Sequence, residues 1–158
     1  MIQEIWDWNL ERLECNHDYI QWLFPLAEQS AFNIDAPILN EKTIKTFRKN
    51  PLLQQNLRQS LITMLRLYGL EHHKNTEGKI VIGKSVDYQN RKIEWVCLFD
   101  HNYLRITRIL KCLITLGLKD EAHAFYDCLQ QIYREESDLI GGETFQYWKT
   151  AIESTSKF

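Results

Sequence analysis

Apolar residues recur every three or four positions along most of this chain, the period of a helix with one buried face. The pattern is sharpest from Pro51 to Tyr68. There Leu53, Leu57, Leu61, Met64, Leu65 and Tyr68 share one side, while Gln54, Gln55, Arg58 and Gln59 turn to the other. Asn50-Pro51 supplies a cap and a first-turn proline, and Gly69 stands where a helix ends in left-handed backbone. Asn40 caps a second helix, Glu41–Lys49, whose first turn is acidic. Asp100 heads a helix over 101–116 closed by Gly117. A further helix spans Lys119–Glu136, with Ala122, Phe125, Tyr126, Leu129, Ile132 and Tyr133 on one face. After Gly141-Gly142 a last helix covers 143–154, using Phe145, Trp148 and Ile152.

The remaining segments are less regular. Residues 5–24 read as two helices broken near Cys15–Asn16 and ended by Pro25, since proline disfavours helix in the residue before it. Residues 27–39 read as a loop, and 85–95 hold a short helix. Strand alternation is nearly absent. Lys79-Ile80-Val81-Ile82-Gly83 is the exception, a β-branched run predicting either a small hairpin or an extended loop. Residues 71–83 are the least ordered stretch by composition, being polar and bounded by glycine. The fold class is all-α: one compact domain over 1–158, an array of about five to seven helices with a polar loop or small hairpin near 71–84. Unequal helix lengths argue against a regular four-helix bundle.

Composition narrows the class without naming a function. The chain has 158 residues, 44% hydrophobic and 25% charged, and five Trp supply bulk for a core. The formal net charge of -2 gives no bulk attraction for nucleic acid, and none is expected as partner. No apolar run reaches the roughly 18 residues that cross a membrane. Met1-Ile2-Gln3-Glu4 lacks the basic start and apolar core of a signal peptide, so a cytoplasmic location is expected. Cys15, Cys97, Cys112 and Cys128 form no C-x-x-C pair and are read as reduced thiols.

Two long blocks carry a resemblance. His17-Asp18-Tyr19-Ile20-Gln21-Trp22-Leu23-Phe24-Pro25-Leu26 is one. The other runs from His101-Asn102-Tyr103-Leu104-Arg105-Ile106-Thr107-Arg108 through Ile109-Leu110-Lys111 to Leu116-Gly117-Leu118. Both resemble signature blocks of the conserved domain of the opioid growth factor receptor family. Tyr68-Gly69, Tyr88 and Arg91 also fall where that pattern expects them. The resemblance implies a receptor-type domain, here a single-domain member of the microbial and fungal kind. Vertebrate members are regarded as nuclear-associated receptors for an enkephalin peptide. It brings no catalytic residue and no cofactor.

Candidate chemistry lies in the same blocks. On a helical wheel, His101, Arg105, Arg108 and Cys112 fall in one stripe, opposite Tyr103, Ile106, Ile109, Leu110 and Leu113. Two guanidiniums and a histidine can hold a carboxylate or phosphate. The competing reading is a solvated face, or arginines paired with acids of a neighbouring helix. In the first block His17 and Gln21 lie one helical turn apart. With Trp22 they would line a groove against the arginine stripe; otherwise they only satisfy backbone and packing. The candidate binding set is therefore His17, Gln21, Trp22, His101, Asn102, Arg105 and Arg108. No metal site, cofactor or catalytic residue is assigned. His72-His73 read as part of a mobile loop, and Glu135-Glu136-Asp138 as a solvated face. Cys112 beside Arg108 is a candidate for a lowered thiol pKa.

The leading expectation is a non-enzymatic module that binds a peptide or protein, with an anionic group at the arginines. The alternative is a small enzyme on an anionic substrate, with His17 or His101 as acid–base and Arg105 and Arg108 as clamps. A homodimer through exposed Trp6 and Trp8 is a third option. Convergence of His17, His101, Arg105 and Arg108 in one concavity would favour the first two.

Overall fold

A computed structural model describes residues 1–154. Among these, nine helices and one two-stranded sheet form, more helices than the five to seven expected. The excess comes from the N-terminal segment, which is cut into three short pieces: α1 (Ile2–Trp6), α2 (Leu10–Cys15) and α3 (Ile20–Leu23). The Asn9 side chain accepts the Arg12 N–H at 2.8 Å and so restarts the chain as α2. The expected break at Cys15–Asn16 is present, with Asn16 extended. Pro25 follows α3 at once, and the loop beyond it is tied by a bridge between Leu26 and Ile38.

The capped helices lie where the pattern puts them. In α4 (Glu41–Lys49) the Asn40 oxygen accepts the Thr43 N–H, and in α5 (Pro51–Tyr68) that of Asn50 accepts from Leu52 and Leu53. Gly69 closes α5 at φ +72, and the space is as demanding as the angle. A Cβ there would stand 2.7 Å from Tyr88 Cα.

Residues 70–84 form a hairpin, not a mobile loop: β1 (Leu70–Lys74) pairs antiparallel with β2 (Ile80–Lys84), from Leu70↔Lys84 to Lys74↔Ile80. The turn is made by Asn75, whose side-chain oxygen accepts the N–H groups of Glu77 and Lys79. Polar composition hid the strand because one face is solvated while Ile82 is buried on the other, where β2 packs on α8. α6 (Tyr88–Trp95) then crosses under α5, and the Trp95 indole donates to Tyr68 O at 3.0 Å.

The last three helices are α7 (Asn102–Thr115), α8 (Lys119–Ile140) and α9 (Gly142–Glu153). α8 continues past its expected end, with a non-helical step at Glu136. Glu135 and Glu136 are not merely solvated there, since they pair with Lys84 and Lys92. The buried apolar side chains of α5, α7, α8 and α9 join in one cluster, including Leu61, Met64, Ile106, Ile109, Leu113, Phe125, Leu129 and Trp148. Trp6 and Trp8 are not a free aromatic face. The Trp6 indole donates to Ser60 at 2.9 Å, and Trp8 lies edge-on to Tyr19 with Arg12 over its ring. That removes the basis for a dimer through them.

Candidate functional site

The two sequence blocks pack against each other. α7 lies along the loop after α2 and along α3, and its polar stripe meets the backbone of the first block. The Arg105 side chain is only 5% exposed. Its guanidinium donates to Leu13 O at 3.1 Å, Asn102 Oδ1 at 3.3 Å and Asn16 O. The carbonyls of residues 13 and 16 end α2, where the helix dipole is negative. Arg108 repeats the device one turn later, its Nε donating to Phe24 O at the end of α3, at 2.8 Å. Arg105 is thus buried and Arg108 half-buried, and neither is paired with an acid among the described residues. They staple two short helices by their C-terminal carbonyls.

Arg105 is spent in this way, while Arg108 is not. Its two terminal nitrogens hydrogen-bond nothing among the described residues, and no carboxylate lies within ion-pair distance. Burial lowers its pKa, the mark of a cation partly stripped of water. Cys112 falls on the same arc of the wheel but points inward and is fully buried. Burial pushes its thiol up, overriding the nearby Arg108, so the expected activated thiolate is absent.

Between α3, the following loop and α7 lies a groove of about 370 Å³. His17, Gln21, His101, Arg105 and Arg108 all line it, so five of the seven candidate residues converge. Apolar walls come from Ile20, Leu26, Leu104 and Phe32, and Ser30, Thr107 and Lys111 complete it. Phe32 and Leu104 are 83% and 60% exposed, large apolar surfaces that the fold itself does not cover. Among the described residues no carboxylate lines the groove. Lys111 reaches Glu28 outside it at 3.5 Å, a weak exposed pair.

Gln21 is a second unsatisfied group lining the groove among the described residues. It is 5% exposed, and its carboxamide oxygen is buried without a hydrogen-bond partner. A buried polar atom in that state costs free energy unless something supplies a donor. Trp22 does not belong to the groove; it stands 49% exposed on the other side of α3. A four-residue helix places neighbours about 100° apart, so Gln21 and Trp22 cannot share a face.

Asn102 is a support and does not line the groove. Fully buried, it accepts from Tyr68 OH at 3.2 Å and donates to both oxygens of Glu14 at 3.2 and 3.1 Å. Glu14 Oε1 is 3.2 Å from His101 Nε2, and the His101 ring lies edge-on to His17, with centroids 5.1 Å apart. Asp100 accepts the Asn102 N–H at 2.8 Å and the Cys97 thiol at 3.3 Å. Donor atoms of Glu14, Asp100 and His101 all lie within 4.8 Å of one another. His72 and His73, adjacent on β1, point to opposite sides and join no such group among the described residues.

The sequence pattern marked five polar residues of the groove but not Ser30, Thr107, Lys111 or the apolar walls. Leu104 and Lys111 were legible, since 101, 104, 105, 108 and 111 make one helical stripe. Ser30 and Phe32 come from an irregular loop with no periodicity to place them. For the enzyme alternative, the histidines do meet, but one of its two clamps, Arg105, is consumed by carbonyls.

Comparison with known proteins agrees with the blocks. The profile of the opioid growth factor receptor conserved region matches residues 1–157. The human opioid growth factor receptor is 38% identical over 120 residues, 75% of this chain and 17% of that protein. The rat opioid growth factor receptor-like protein 1 is 39% identical over 115 residues, 71% of this chain and 23% of its own length. The Xenopus tropicalis opioid growth factor receptor-like protein 1 is 36% identical over 140 residues, 86% and 25%. The chain spans about a fifth of the length of these relatives. No solved structure matches it.

Proposed function

The chain belongs to the opioid growth factor receptor conserved-region family, and on that premise we propose that it is a non-enzymatic binding module. Its ligand is a peptide or protein segment that places an acidic group and a large apolar side chain in the α3–α7 groove. One observation carries this: a concavity with exposed Leu104 and Phe32 and, among the described residues, an unpaired cationic end of Arg108 and no carboxylate. Such a groove attracts an anion by charge and holds a side chain by burial. The human relative's name makes it a receptor, which agrees with a binding role. The 158 residues act as one domain in this reading. The four cysteines are free thiols, consistent with a reducing, cytoplasmic setting. No helix of the described residues is long and apolar enough to cross a membrane.

The test is a calorimetric titration against a library of short acidic peptides with and without a large apolar residue. Saturable binding should weaken about 10- to 100-fold in Arg108→Ala, the worth of a charge-assisted hydrogen bond. Leu104→Asp should abolish it, and added salt should weaken it. Binding indifferent to both substitutions would place the ligand elsewhere, and no binding across the library would sink the reading.

A further inference from the structure

We infer that Glu14, Asp100 and His101 form a binding site for a divalent first-row metal ion of the zinc type. The three side chains come from α2 and the start of α7, far apart in sequence, yet their donor atoms lie within 4.8 Å of one another. His101 Nε2 and Glu14 Oε1 are already 3.2 Å apart. Two donors bound to one zinc ion, at bond lengths near 2 Å, stand about 3.0–3.4 Å apart. Small rotations of two carboxylates close the rest. One imidazole with two carboxylates suits a borderline ion, whereas calcium or magnesium takes oxygen alone.

The carboxylates are oriented before any ion arrives. Buried Asn102 donates to both oxygens of Glu14 and is itself fixed by Tyr68. Its backbone N–H and the Cys97 thiol hold Asp100. Outer contacts of this kind are what raise affinity at protein metal sites. Arg105 reaches the cluster only through Asn102, whose Oδ1 accepts from it, and the described residues show no ion pair between it and either carboxylate. His17 is not a ligand. Its Nδ1 faces the Arg105 N–H, which leaves hydrogen on Nε2 and makes that edge a donor.

His101 is also the one member of the cluster that lines the α3–α7 groove among the described residues, so the site adjoins that groove. Three protein ligands leave an ion an open position for water or a ligand group. An ion at the groove wall would add positive charge where no acid among the described residues lines the cavity.

The experiment uses tag-free protein and metal alone, so its outcome is separate from that of the peptide titration. Calorimetry with Zn²⁺ or Co²⁺ should show one ion per chain. Glu14→Gln and His101→Gln should each weaken uptake at least about tenfold. His123→Gln, exposed on α8, should leave it unchanged. Circular dichroism checks that the variants fold. If one does not, Co²⁺ broadening of the His101 ring signals in the unmodified protein carries the test. Absence of saturable uptake, uptake indifferent to both substitutions, or broadening confined to His72, His73 or His123 would each overturn the inference.

Discussion

Replacing Arg105 by methionine tests whether the arginine stripe serves the fold or the ligand. Methionine keeps the apolar stem and removes the guanidinium. Five acceptors lose a contact, two of them the Tyr19 hydroxyl and the ring nitrogen of exposed His17, and the three carbonyl and amide oxygens are not left bare. Leu13 O keeps the Tyr19 hydroxyl at 2.7 Å, Asn102 Oδ1 keeps the Tyr68 hydroxyl, and Asn16 is partly exposed to water. The loss is therefore that of the bonds themselves, not of orphaned carbonyls. Two good hydrogen bonds from a cation are worth roughly 1.5–3 kcal/mol each. Against this, methionine recovers part of the cost of burying a charge. The net expected loss is about 2–4 kcal/mol, or about 4–16 °C in Tm for a chain of this length.

Urea unfolding followed by circular dichroism measures it, with the midpoint shifting at constant slope. Arg105→Lys should recover less than half, because one ammonium cannot span Leu13 O and Asn16 O as the planar fork does. Arg108→Met, losing one bond at a half-buried site, should cost only about 1 kcal/mol. The reasoning fails if Arg105→Met costs under about 0.5 kcal/mol, the range of an ordinary surface change. It also fails if lysine restores full stability. Either result would return Arg105 to the ligand.

Gly69→Ala should destabilise by about 3 kcal/mol or more, combining left-handed strain with a Cβ 2.7 Å from Tyr88. Gly78→Ala has the same sign of φ but open space, so only the strain of about 1–2 kcal/mol remains; equal losses would refute the close-approach argument. His72, whose pKa burial lowers, should make the protein acid-sensitive. The unfolded chain takes up the proton first, so stability is full above about pH 6.5 and declines as pH falls toward the lowered native value. In His72→Gln that component of the urea-midpoint slope should vanish, and an unchanged slope would rule His72 out. A thiol reagent near about pH 8 should label exposed Cys15 at once. Cys112 and Cys128, buried and with raised pKa values, should react only once denaturant opens the core; early labelling of either would contradict their burial.

Much of the fold was legible where local chemistry and periodicity agree. Asn40, Asn50, Pro51 and Gly69 mark the ends of α4 and α5 to the residue, because each satisfies backbone groups that the helix leaves open. The hairpin was ambiguous for a physical reason. Its strands are short, one face is wet, and His72-His73 and Lys74 carry no strand signature of their own. Pairing with β2 and packing on α8 make the strand, and a single sequence holds no record of a partner.

The site divides in the same way. A wheel projection places Arg105 and Arg108 on one arc but treats all cations on an arc as equivalent. What separates them is the backbone they meet. Arg105 lies opposite the end of α2 and is saturated by carbonyls, whereas Arg108 lies opposite the end of α3, where one carbonyl takes Nε and the rest of the fork is left over. Short helices expose many end carbonyls for their length, since the last turn of each has no partner within it. A segment cut into such pieces therefore needs donors from outside: α7 supplies them to α2 and α3, and Arg66 of α5 donates to Trp8 O after α1. The same side chains that look like an anion site in sequence are first a set of helix caps. In the groove the polar surplus among the described residues, one guanidinium end and one carboxamide oxygen, is left for a peptide ligand, and that surplus is where substitutions should change its affinity without unfolding the chain.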